Sequence, residues 1–411
     1  MSMAVFFLLI FFFLYASTFL AAKNILFLDD SNFEQSINKE WAAREPMVLK
    51  EALSPYSFPL HDNERYLAYT STIRSLQELT RSPPLGSIVC PSPHLTPIYD
   101  KIVGVSSNDT SNTAHRKIPR ILHVSFNNRC VPNDLADSIT RWQRALPDHS
   151  IFFHDDEAVQ RLMGVENQKD SQLWHLSKDF PELRNNMLCV KFKGAMLIDI
   201  WRVLILWTYG GLYTDIDNWP GPKFNARTTI RDEDSFFSLS DARGRPSQWL
   251  FGMTPRHPIA IFTLQEISRR LLRIKNIARP RVVAITGPKT LSRAYEKFHN
   301  LLRANASIFG DSSYYTQVQQ IGLAESGEYA KGNLGDTFDE LVDYFFDEIH
   351  NTSYTNITKR SKSQLLSGVV HWTEAVKLDQ PKGNTTIDPP GKAEIDQFDG
   401  ISCADYLASL R

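Results

Sequence analysis

The chain carries no surplus of charge. Its 45 basic and 46 acidic residues leave a net charge of −1. That argues against nucleic acid as a partner, since a phosphate-binding face usually leaves a basic excess. Cysteine is scarce, and the four present (Cys90, Cys130, Cys189, Cys403) stand at no metal-binding spacing. No repeat recurs at the period of a solenoid or propeller. Basic residues are also missing ahead of the apolar run at residues 3–22, so the positive-inside rule gives that run no orientation. What remains has globular proportions, 42% hydrophobic and 22% charged over 411 residues. This length suits one large domain with appendages, or two domains.

The most informative stretch is residues 190–217, VKFKGAMLIDIWRVLILWTYGGLYTDID. A mostly apolar run at helical spacing holds Asp199 and Arg202, three apart and so on one face. Charges on such a surface must be satisfied by each other or by a ligand, because unpaired buried charge is costly. Gly210-Gly211 end the helix without steric penalty. In the strand expected next, Tyr213, Asp215 and Asp217 share a side. Two carboxylates at a strand end make a hard oxygen site, suited to Mg²⁺ or Mn²⁺ holding a diphosphate. A second acidic triplet, Asp232-Glu233-Asp234, lacks an apolar strand before it and reads as solvated loop.

The spacing Ala195-(x)3-Asp199-(x)2-Arg202-(x)7-Gly210-Gly211-x-Tyr213-x-Asp215-x-Asp217 resembles the signature of sugar transferases with the DXD motif. These are glycosyltransferase family 32, related to the fungal α-1,6-mannosyltransferases and more distantly to the clostridial glucosylating toxins. Three further segments fit in the same order: Ile118–His123, Gln248–Pro258 and Thr286-Gly287-Pro288. Haloacid-dehalogenase-type phosphatases also place D-x-D after an apolar strand. They need it near the domain start, with Thr or Val where this chain has Trp219.

The resemblance implies a GT-A-type, Rossmann-like α/β fold whose mostly parallel sheet is flanked by helices. It implies a retaining transfer of a hexose from a nucleotide sugar to a glycan or glycolipid, with Mn²⁺ or Mg²⁺ as cofactor. The Gln248–Pro258 and Thr286–Pro288 likenesses favour GDP-mannose as donor and leave UDP-sugars open. Asp215 and Asp217 are then the metal ligands, and Asp199, Arg202, Tyr213 and Asp215 face the donor. Asp215, Asp217 and Arg202 form the catalytic set. Phe126 stands where relatives place a base-stacking Trp; it keeps a π face and loses the indole N–H. His371 stands where relatives often carry a metal-binding His, but the expected Gly-Ser-Trp is replaced here by Trp372-Thr373-Glu374-Ala375. These departures keep an alternative open, a catalytically inactive lumenal carbohydrate-binding protein on a transferase fold.

Four segments follow. Residues 1–23 are a signal anchor or signal peptide: the uncharged run is long enough to cross a bilayer, which favours the anchor. Residues 24–116 read as a stem or cap with some helix at 64–80, residues 117–375 as the transferase domain, and residues 376–411 as a tail. Within the domain, strands are expected at 120–126 and 150–154. Helices are expected at 133–145, capped by Asn133, and at 156–163, 257–274, 288–302 and 337–349, with a closing strand at 368–371. The expected setting is the Golgi or ER membrane, type II with a lumenal body, or secretion if the N-terminus is cleaved. Five Asn-x-Ser/Thr sequons, at Asn108, Asn305, Asn351, Asn356 and Asn384, agree with it. In such a lumen the cysteines form up to two disulfides, with three possible full pairings, or remain small buried hydrophobes.

Overall fold

The computed structural model describes residues 62–103, 116–163, 180–190, 194–225, 227–241, 243–278, 280–304, 315–322, 330–332 and 397–410. The N-terminal run, the five sequons, His371, the 337–349 helix and the 368–371 strand lie outside these residues. Among the described residues no helix is long and apolar enough to cross a membrane.

The chain opens with helix α1 (Asp62–Thr80), strand β1 (Leu95–Pro97), strand β2 (Ile121–Ser125) and strand β3 (Cys130–Pro132). Helix α2 (Asn133–Ala145), strand β4 (Ser150–His154), helix α3 (Asp156–Met163) and the short helix α4 (Pro181–Asn186) follow. Helix α5 (Gly194–Tyr209) leads into strand β5 (Gly211–Thr214) and strand β6 (Asn218–Pro220). A hairpin of β7 (Phe236–Ser240) and β8 (Pro246–Met253) precedes helix α6 (Pro258–Leu272), helix α7 (Val282–Ile285) and helix α8 (Pro288–Ala304). Strands β9 (Val318–Ile321) and β10 (Ala330–Gly332) and helix α9 (Cys403–Ser409) complete the described elements.

The central sheet has six strands in the order β4-β2-β5-β8-β7-β9. β2 is parallel to both β4 and β5, and β7 is parallel to β9. β8 runs antiparallel to β5 and to β7, so the sheet is mostly parallel with one reversed strand. β4 and β5 are buried along their whole length, as strands covered on both faces must be. Helix α2 turns Leu135, Ala136, Ile139 and Trp142 inward at helical spacing. Asn133 does not cap it: Pro132 holds that position, while the Asn133 side chain accepts from the Thr96 hydroxyl at 2.7 Å.

Residues 62–103 pack against the sheet rather than trailing from it. The buried Arg129 guanidinium donates to the carbonyls of Thr80, Ile98 and Phe153 and pairs with Asp100 and Asp155. One side chain thus ties the end of α1, the segment after β1, and β4. Disulfide Cys90–Cys130 adds a covalent link to β3, and Cys189–Cys403 fastens α9 beside α4.

The Gly210-Gly211 break is a matter of space as much as of conformation. Both residues have positive φ, +66° and +97°. A Cβ on Gly210 would lie 2.5 Å from the Pro255 ring, and one on Gly211 would lie 2.7 Å from the Ile121 carbonyl oxygen. The Gly210 carbonyl accepts from His123 Nε2 at 3.0 Å. Burial lowers His123 to a pKa of about 4, so the ring is neutral. With Nε2 protonated, His123 Nδ1 must accept from His154 Nε2, 3.1 Å away. The buried pair locks β2, β4 and the α5–β5 turn together.

Candidate active site

Parallel α/β sheets bind ligands beyond the C-terminal ends of their strands. Here that edge carries Phe126 after β2 and Asp215 after β5. Because β8 is reversed, its N-terminal residues, Gln248 among them, lie at the same edge. The Asp215 N–H donates to the Trp249 carbonyl at 2.9 Å, which fixes the juxtaposition.

Arg202 is the hub. It is 9% exposed, projecting from α5. Its Nη2 lies 3.2 Å from Asp199 Oδ1 and its Nη1 lies 3.3 Å from Asp215 Oδ1. Nη1 also donates to the Gln248 carbonyl at 2.8 Å, and the guanidinium carbon sits 4.7 Å from the Tyr213 ring centroid. The Tyr213 hydroxyl donates to Asp215 Oδ1 at 2.6 Å. Asp199 has a second donor, the Thr286 hydroxyl at 2.8 Å, and the Gln248 side-chain amide donates to the Thr286 carbonyl at 3.1 Å. A closed polar ring results, with members from α5, β8 and the α7–α8 turn. Two of its buried atoms, Arg202 Nε and Gln248 Oε1, have no partner among the described residues.

The charges follow from this packing. Burial raises the Asp199 carboxyl to a pKa of about 6, against the pull of Arg202 and Thr286. Burial opposes the charge on Arg202 too, but Asp215, Tyr213, Asp199 and Asp217 together hold it above its ordinary value. Burial, then the charge of Asp215, raises Asp217. The acids here outnumber the cation that serves them.

Strand geometry does not carry the second carboxylate as the alternation predicts. β5 stops at Thr214, and Asp217 lies in a turn closed by the Asn218 N–H donating to the Asp215 carbonyl at 3.2 Å. The turn, not the pleat, brings the two acids together. The other acidic triplet also differs from expectation. Asp232 and Glu233 are exposed, but Asp234 is fully buried and accepts from the Arg231 backbone and guanidinium. It is a local brace.

The family profile described as glycosyltransferase sugar-binding region containing DXD motif matches residues 132–237. The chain is also 24% identical over 223 residues to inositol phosphoceramide mannosyltransferase 1 of Schizosaccharomyces pombe. Residues 132–237 thus resemble the DXD-containing region of glycosyltransferases. The match to the yeast enzyme covers 52% of this chain and spans 64% of that relative's length. The solved PaToxG glycosyltransferase aligns at a TM-score of 0.35 and 17% identity, over 62% of this chain and 85% of that one.

The transferase-like site suits a divalent ion by the chemistry of its donors. Asp215 and Asp217 offer hard oxygen ligands, and their mutual repulsion is what a cation would relieve. Among the described residues no group of three His, Cys, Asp or Glu could hold a metal. Water or a diphosphate commonly completes such a coordination shell for Mg²⁺, and the expected ligand His371 lies outside the described residues. Phe126 is half-buried and packs against the hydrophobic core, as Ile216 and Trp249 also do. Thr286 and Gln248 had no role assigned from sequence. The contiguous Thr-Gly-Pro and the Gln-Trp strand start were visible, but their bonds to Asp199 and Arg202 cross 87 and 46 residues.

Proposed function

We propose that this chain is a metal-dependent, retaining glycosyltransferase that moves a hexose, with mannose favoured, from a nucleotide sugar to a glycan or glycolipid of the secretory pathway. The observation that carries this is Arg202, held between Asp199 and Asp215 at the sheet edge beside Asp217. When the bond between the anomeric carbon and the donor diphosphate breaks, negative charge builds on the leaving oxygens. A fixed guanidinium meets that charge without reorganising, so it favours the transition state over the ground state. A bound Mn²⁺ or Mg²⁺ would supply further positive charge to the diphosphate.

Asp199 is an acceptor for hydroxyls of the transferred sugar, oriented by Thr286. Tyr213 holds Asp215 in place and shields Arg202 from water, and Phe126 offers a face for the base. Retention rests on the family resemblance, and no residue is assigned as covalent nucleophile. The yeast relative's name favours mannose as the sugar and a phosphosphingolipid as the acceptor. Residues 3–22 would hold the enzyme at the membrane where such a lipid resides.

The test is donor hydrolysis by the full chain, with GDP-mannose and several UDP-sugars tried separately, in Mn²⁺ and in EDTA. Metal-dependent release of one sugar supports the reading and names the donor. A chain that turns over no donor, and binds neither GDP nor UDP with Mn²⁺ by calorimetry, is a non-catalytic protein on a transferase fold.

A further inference from the structure

The reversed strand brings a second feature to the functional edge. The β7–β8 hairpin carries Arg243 and Arg245, and the first turn of α8 carries Lys289 with Arg293 one turn further. Arg245 is three residues before Gln248, and Lys289 is three after Thr286. Three residues span at most about 10 Å, so the backbones at Arg245 and Lys289 lie within that distance of Gln248 and Thr286.

The neighbourhood is basic far beyond the chain's average. Glu266 is shared by Arg269, Arg270 and Arg293, and Asp241 takes Arg245. Arg243 and Lys289 are exposed, and no acid pairs with either among the described residues. Partial burial and the like charges of Arg293, Arg270, Arg245 and Arg243 hold the Lys289 ammonium below its ordinary value, so these five groups share one field. Lys289 is also at the wrong end of its helix. Helix N-termini carry positive partial charge and favour acids, yet the first turn of this 17-residue helix has none. Apolar side chains stand beside the cations: Val283 and Leu272 are each 44% exposed. Arg270 lies two residues before Leu272, and its guanidinium donates to the carbonyl of Ala284, next to Val283.

Clustered like charge in a chain of net −1 costs stability, and it is relieved by an anion. We propose that Arg243, Lys289 and Arg293, backed by Arg245 and Arg270, form a binding site for the phosphodiester of a lipid head group, with Val283 and Leu272 turned toward the acyl region. This deepens the proposed transfer by giving the acceptor a phosphate subsite beside the donor site, and it rests on that reading for its catalytic consequence only.

Two measurements separate the claims. The first is co-sedimentation of the full chain with phosphatidylcholine vesicles holding about a fifth phosphatidylinositol, read as the gain over vesicles of phosphatidylcholine alone, which cancels any binding through residues 3–22. Each basic residue removed should weaken binding to the anionic vesicles about fivefold. The pair Arg243→Gln/Lys289→Gln should then lose on the order of 25-fold, and the triple with Arg293→Gln on the order of a hundredfold. The pair leaves the Arg293–Glu266 bridge intact, so a folding defect confined to the triple does not blunt the test. Wild-type chain that ignores phosphatidylinositol, or a pair variant that binds as wild type does, overturns the proposal. Wild-type binding abolished by millimolar inorganic phosphate would assign the site to free phosphate and overturn its lipid source.

The second measurement is transfer from the donor found active above to an inositol-phosphate-bearing sphingolipid and to a neutral glycosphingolipid. The pair variant should raise KM for the phosphorylated acceptor at least tenfold, leaving donor hydrolysis and any transfer to the neutral acceptor unchanged. Equal KM values in variant and wild type overturn the subsite. Vesicle binding that behaves as expected in a chain without turnover leaves the subsite standing and removes only the transferase reading.

Discussion

Replacing Asp199 by Asn should make the protein more stable and nearly inactive, an unusual pairing that the ring geometry requires. Asn has the shape of a protonated Asp199. The gap between the ordinary carboxyl value of 3.8 and about 6 in the fold corresponds to ~3 kcal/mol against the charged form. The sign follows from proton binding. Between pH 3.8 and about 6 the folded state holds the proton more tightly than the unfolded chain, so wild-type stability falls as pH rises through that window. Above it the full ~3 kcal/mol is lost. Asn carries no such penalty, so the variant should gain up to ~3 kcal/mol over wild type at pH 7.5 and little at pH 4.

Two objections can be weighed from the structure. Removing one partner of a buried pair usually strands the other, but Arg202 keeps Asp215 at 3.3 Å and the Gln248 carbonyl at 2.8 Å. The Thr286 hydroxyl, which now donates to Asp199, is also 3.3 Å from the Val282 carbonyl and can donate there while accepting from the Asn amide. Urea unfolding at pH 7.5 and pH 4, with the slope unchanged, reads the stability difference directly. Single-turnover transfer reads the activity, expected to fall at least a hundredfold as a charged acceptor for the sugar is lost. A variant less stable than wild type at pH 7.5 would refute the reasoning, because it would show that the Asp199–Arg202 attraction exceeds the cost of burial.

Three further substitutions probe neighbouring claims. Asp217→Ala should abolish Mn²⁺-dependent donor binding by calorimetry and leave the urea midpoint unchanged or raised; near-normal turnover removes the metal assignment. Because the Asp217 carboxyl is raised, protons compete with the metal near neutrality, so wild-type Mn²⁺ affinity should fall with decreasing pH. Phe126→Ala should weaken nucleotide binding while Phe126→Trp preserves it, and equal affinity in all three forms rules out base stacking. Gly210→Ala forces a Cβ into the Pro255 ring at positive φ. It should cost ~2–5 kcal/mol, from left-handed strain and overpacking together, as seen by thermal unfolding.

The α5–Gly-Gly–β5 unit was legible because each signal in it is local. The apolar period makes the helix, the glycines end it, and the acids follow within a few residues. The site's second half was not, because its bonds are long-range. Nothing in the composition around Thr286 says that its hydroxyl meets a carboxylate on another helix. Residues 62–103 were obscured differently. Their Pro-rich stretches left stem and cap both open, and Arg129 and the Cys90–Cys130 link bind them to the sheet, as a cap would be. Asp234 was misread because a charged run looks solvated when only its neighbours in sequence are weighed. Its carboxylate is buried but fully served by Arg231, three residues back.

One topological feature explains why so much converges on a single edge. β8 has eight residues, about 27 Å at the usual rise per residue. Were it parallel to β5 over the same span, Gln248 would move three residues along, about 10 Å, to the position that Phe251 holds beside Tyr213. The present Arg202–Gln248 bond would be lost, and the basic hairpin would leave this edge. Reversal costs the sheet little, since antiparallel pairing is at least as stable per residue. It places Gln248 under Arg202, and through Gln248 it holds the turn that presents Thr286 to Asp199. The strand that departs from the parallel pattern is therefore the one that joins the half of the domain that carries Arg202 to the half that carries the basic rim.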